Sequence, residues 1–201
     1  MQRRPHTRFH AALLGAALAV ASVAVAAQSV QDWGLDPDVL ADSGGDLLRR
    51  APDDAIDGLF QAVHTASRDD GEARALCTLF EPDADRSLQG FNAVAARLGP
   101  ASRDRFANAV ANALVGAMQS PPQPYDAAAA LQALKAAGAT AAILHDGFVR
   151  GLNASGTDAA SRDARCQSLR WLLDAMQARP RQERTAMTRW LLEQGVARLA
   201  P

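Results

Sequence analysis

Lysine is almost missing from this chain. Lys135 is the one lysine against twenty arginines, and there are one tyrosine, three tryptophans and two cysteines. Without lysine there is no lysine-rich amphipathic stretch to hold a helix strongly to a membrane surface. With aromatics at 5% of the chain, a core has to be built from Leu, Ala, Val, Ile and a few Phe. Histidine is as scarce: past residue 10 only His64 and His145 remain. No HExxH, CxxC or CxxCH sequence occurs, which removes the usual zinc and c-type haem signatures, so no metal and no cofactor are expected. Ser155, in Asn153-Ala154-Ser155-Gly156, lacks the first glycine of a nucleophile elbow. Asp83-Ala84-Asp85 opens like a calcium loop, but Leu88 stands where glycine is required and Val94 where glutamate is required. Glu81, Asp83 and Asp85 therefore read as a solvated turn.

The N-terminus indicates a compartment. Residues 1–10 carry Arg3, Arg4 and Arg8 and no acid, and residues 11–27 are a run of small and apolar residues broken by Ser22. Ala24-Val25-Ala26 fits a small-x-small cleavage pattern. Residues 1–26 are expected to be a signal peptide. A run of 17 alanine-rich residues is short for a bilayer span, so no stable membrane anchor is expected. The arginine and alanine bias points to a GC-rich bacterial genome and to a periplasmic or secreted protein. In an oxidising space, Cys77 and Cys166 are expected to form one disulfide. Their spacing supports this. Cys166, Leu169, Leu172, Leu173 and Met176 share one helical face, and so do Ala73, Leu76, Cys77 and Phe80.

Charge is divided along the chain. Without residues 1–26 there are 18 bases and 22 acids, a net of −4, which does not favour nucleic acid. From 27 to 85 there are 14 acids and four arginines; from 86 to 201 there are eight acids and 14 bases. Either the two halves attract one another, or one surface meets an oppositely charged partner.

The pattern predicts an all-α fold: a single helical domain, residues 51–201, of about seven antiparallel-packed helices with one disulfide. An acidic lead-in, 27–50, precedes it and reads either as irregular or as having one short helical turn at 37–41 ahead of Gly44-Gly45. Pro52, Asp53 and Asp54 suit a helix start, followed by an inward stripe of Ile56, Leu59, Phe60 and Val63. Ser102 is placed as a cap. Gly138 is placed as the end of one helix, with the next running over 140–152 and carrying Leu144, Phe148 and Leu152 at a spacing of four. Ser120–Pro124 reads as a stiff loop within one domain.

Candidate functional residues are few. His64, His145 and Asp146 are a candidate polar site. Trp33, with Arg181, Arg184 and Arg189, is a candidate partner surface: Trp33 as a hook, the arginines as a cationic strip or a solvated helix face. The leading expectation is an exported protein-binding, inhibitory or accessory module whose partner is another envelope or secreted protein. A cell-wall or carbohydrate hydrolase with an acidic site is the second reading, and a small-ligand or lipid carrier the third.

Overall fold

The computed structural model describes residues 37–85 and 87–197. The expected signal peptide, the start of the lead-in and Trp33 lie outside the described residues. Those residues form nine α-helices, one 3-10 turn and no strand: α1 (Pro37–Arg50), α2 (Asp53–Ser67), α3 (Asp70–Cys77), α4 (Leu88–Ala96), α5 (Pro100–Gln119), α6 (Ala127–Leu144), α7 (Phe148–Leu152), α8 (Ala159–Gln177) and α9 (Arg181–Ala197).

The helices depart from the expected set for two physical reasons. Gly44-Gly45 lies inside α1 and does not precede a helix. Gly costs about 1 kcal/mol in a helix interior relative to Ala, but Gly44 lets α9 approach, since a Cβ there would stand 3.2 Å from Val196 Cγ1. The second reason concerns Gly138, which does not break its helix. α6 runs through it with Ala137 and Ala141 buried on the same side. The break comes at His145, whose extended backbone (φ −139°, ψ 102°) ends α6 and starts the short α7 after a turn.

Helix starts follow local chemistry. Asp69 accepts hydrogen bonds from the backbone of Gly71 and Glu72 at α3, Asp126 from Ala128 and Ala129 at α6, and Asp158 from Ser161 at α8. Ser102 is not a cap. It lies inside α5, buried, and donates to Glu72 Oε2 at 2.6 Å while Glu72 Oε1 accepts from Gly99 N. A side chain of α3 thus closes the start of α5 across 27 residues.

The main core lies where α2, α6, α7, α8 and α9 meet, around Phe60, Phe148, Leu173, Met176 and Met187. A second cluster joins α2, α3 and α4 around Leu76, Val94 and Leu98. A third seats Leu47 and Leu48 of α1 on Ile56 and Ala117. The Ser120–Pro124 loop is tied to the end of α1: Gln123 N donates to Arg49 O at 2.8 Å. Phe80 falls in the 3-10 turn after Cys77 and is exposed, so the helical stripe ends one turn earlier than its spacing implies.

Candidate functional site

Cys77 and Cys166 are bonded, with Cα atoms 5.3 Å apart, and join α3 to α8. A buried ion pair runs beside the bond. Arg165 reaches Glu81 and also donates to Ala154 O and Gly156 O at 2.8 Å. Glu81 is therefore buried and paired, while Asp83 and Asp85 of the same turn are exposed. The Ser87 side chain and backbone hold the Asp85 carboxyl below its usual range. That shift disfavours it as a proton donor.

The polar candidates make separate contacts along α8. His64 Nε2 meets Asp174 Oδ1 at 2.9 Å, and its ring stacks on Phe60. His145 stacks instead on Trp171, ring centroids 4.5 Å apart. Asp146 is exposed beside it. Among the described residues, no group of three His, Cys, Asp or Glu is arranged to hold a metal.

The arginines of α9 do not form an exposed strip. They make a graded ladder onto the start of α2. Arg181 pairs with Asp54 and approaches Asp57 at 3.5 Å, and its side chain stays 54% exposed. Arg184, 9% exposed, makes a two-point pair with Asp57 (2.8 and 3.1 Å) and lies over the Phe60 ring. Arg189 is 1% exposed; it donates to Asp53 at 2.9 Å, to Ala51 O at 2.8 Å and to Leu48 O. Arg189 meets the last carbonyls of α1, the negative end of that helix, while the acids in the first turn of α2 answer its positive end and are in turn paired by the arginines. Here the opposite charges of the two halves meet inside the fold. Each arginine sits where its helix faces acids about 130 residues away, a pairing that local charge spacing does not encode.

Two pockets accompany these elements. One, of about 220 Å³, lies between Asp53, the start of α6 and the start of α9, and Tyr125 lines it. The Tyr125 hydroxyl is buried beside the Glu193 carboxylate. Burial first, then the neighbouring Glu193 carboxylate, pushes its pKa above the ordinary phenol value. The folded state therefore holds this proton longer than the unfolded chain. Stability is unaffected below about pH 10 and falls as pH rises beyond it. Tyr125 is the only tyrosine, so tyrosinate absorbance reports it alone. The native protein should stay unionised where the urea-unfolded chain titrates, and Tyr125→Phe should flatten the alkaline loss of stability. Native titration at the ordinary phenol pH would refute this assignment. The second pocket, of about 300 Å³, is walled by Thr78, Glu81, Asp83, Asp85, Arg97 and Arg162.

The most unusual surface is apolar. Ile143 (82% exposed), Leu144, Val149 and Leu152 are each more than half exposed within ten residues, where α6 ends and α7 begins. Leu144 and Leu152 thus face out, while Phe148 between them is buried. Spacing of four put these three on one continuous helix, but the turn at 145–147 separates Leu144 from the other two. α6 is long and apolar enough to cross a membrane by length and composition, and 17% of it is buried. The signal for this in the sequence is the scarcity of charge, with Lys135 the one charged residue among the eighteen of α6.

No protein-family model, curated protein or solved structure matches this chain.

Proposed function

We propose that the chain is an exported accessory module that works by docking onto another component of the cell envelope, with the α6–α7 end as its docking surface. One observation carries this reading: four large aliphatic side chains stand in water at a well-packed end of the molecule. Contiguous exposed apolar surface marks interaction sites in soluble proteins. The disulfide suits an oxidising compartment. The carrier reading has less support, because pockets of about 220 and 300 Å³ with charged walls are at or below the small end of ligand cavities. The hydrolase reading has less support as well, because Glu81 is tied to Arg165 and Asp85 is held ionised.

A photoreactive residue at position 143, in cells exporting the protein, should give a crosslinked adduct with an envelope component. The same residue at the exposed position 160 on α8 should give little. Equal labelling at the two positions would remove the docking assignment.

A further inference from the structure

We infer that the 3-10 turn (Thr78–Phe80), the turn after it and α4 form a redox-controlled strap: the Cys77–Cys166 bond holds it shut, and reduction lets it open while the rest of the fold stays closed. The placement of its fastenings carries this. Cys77 ends α3, so the bond sits at the root of the strap. Four residues on, Glu81 reaches Arg165, the neighbour of Cys166 on α8. Arg162, one turn earlier on α8 and half exposed, lies 3.7 Å from Glu81 and from Asp83. The covalent and the buried ionic fastening are thus consecutive residues of one helix, and the bond fixes the distance across which the ion pair acts.

The strap has fixed ends. α3 is held apart from the bond, because Asp70 pairs with Arg170 at 2.8 Å and Glu72 accepts from Gly99 N and Ser102 Oγ. The Glu72 contact with Gly99 also pins the far end, just past α4. Between these ends the hold is light. Val94 and Leu98 join the cluster around Leu76, but Phe80 and Phe91 are exposed, and the pocket of about 300 Å³ lies between the two limbs and Arg162. Few buried apolar contacts mark a segment that opens below the global unfolding free energy.

The bond is within reach of exchange. Cys77 is buried and Cys166 is partly exposed. A dithiol reductant attacks the Cys166 sulfur as its thiolate and forms a mixed disulfide, while the Cys77 sulfur leaves as a thiolate and takes a proton. The second thiol of the reductant then displaces Cys166 as a thiol. The reductant ends as a disulfide, and the protein has gained two electrons and two protons. Cys166 Sγ lies 3.6 Å from Ala73 O, an acceptor for the thiol so formed.

Hydrogen exchange over a series of urea concentrations below the unfolding transition tests the strap, on the oxidised chain and on the same chain held in dithiothreitol. Reduction should speed exchange in α4 by at least about tenfold, through an opening that urea hardly accelerates. Exchange in the buried parts of α6 and α9 should keep the steep urea dependence of global unfolding. Cys77→Ala with Cys166→Ala should match the reduced chain. The strap is overturned if α4 of the reduced chain exchanges only through the urea-steep global unfolding, if α4 exchanges equally fast in both redox states, or if the double variant behaves as the oxidised chain does.

Discussion

Replacing Arg189 with methionine should destabilise the fold by about 2–6 kcal/mol, the cost of two backbone carbonyls left without their donor. Methionine fills much of the space but donates nothing. The buried Ala51 carbonyl and the Leu48 carbonyl would lose their donor, at about 1–3 kcal/mol for each one left unsatisfied. The Asp53 carboxylate, 59% exposed, would return to water at little cost. The same substitution along the ladder gives an order. Arg184→Met should cost about 3–5 kcal/mol, comparable to Arg189→Met, because it leaves the Asp57 carboxylate, 14% exposed, without its two-point partner. Arg181→Met should cost less than about 1 kcal/mol, as an exposed pair. Urea unfolding of the three variants checks the order. Equal losses at 181 and 189 would mean that burial does not grade the ladder. Arg189→Lys should not rescue, since a single ammonium cannot span three acceptors as a planar fork does.

Loss of the disulfide should be as large. The bond spans 89 positions, and the chain-entropy estimate for a loop of that size is about 4–5 kcal/mol. At about 2–4 °C per kcal/mol for a chain of this length, Cys77→Ala with Cys166→Ala should melt about 10–20 °C below the oxidised protein. Reducing the wild type should reproduce the shift. A double variant that melts with the wild type would show that the bridge contributes nothing to stability. Glu81 and Arg165 form a second connection at the same crossing, so the reduced protein should keep its helical circular dichroism at low temperature.

Some of this was legible in the chain and some was not, and the division follows the range of each signal. Helical spacing put Ile56 and Phe60 on one buried face, and it put both cysteines on inward faces that the disulfide then joins. Those are patterns within a few turns. Spacing also put Leu144, Phe148 and Leu152 on one face, but periodicity says which residues align only while the helix continues, and it ends at His145. Gly44-Gly45 read as a break because glycine is a poor helix former, and nothing local announces that Val196 needs the space. The arginines of α9 read as solvated because their acids lie about 130 residues away. The polar candidates His64 and His145 are drawn to different partners on α8, Asp174 and Trp171. The apolar end was the least legible, since a sequence lists apolar residues without showing which of them run out of neighbours.

The ladder also bears on the order in which the molecule is completed. A chain is synthesised from its N-terminus. α1 and α2 therefore emerge with the Leu48 and Ala51 carbonyls and the Asp53 and Asp57 carboxylates still hydrated. Their donors arrive 127 to 141 residues later. Closing loops of that length is slow compared with forming the helices themselves. The donors for the N-terminal helices are thus absent through most of the chain's synthesis. A chain cut before residue 181 would present them without the segment that finishes them, and the last helix made is the one that completes the first.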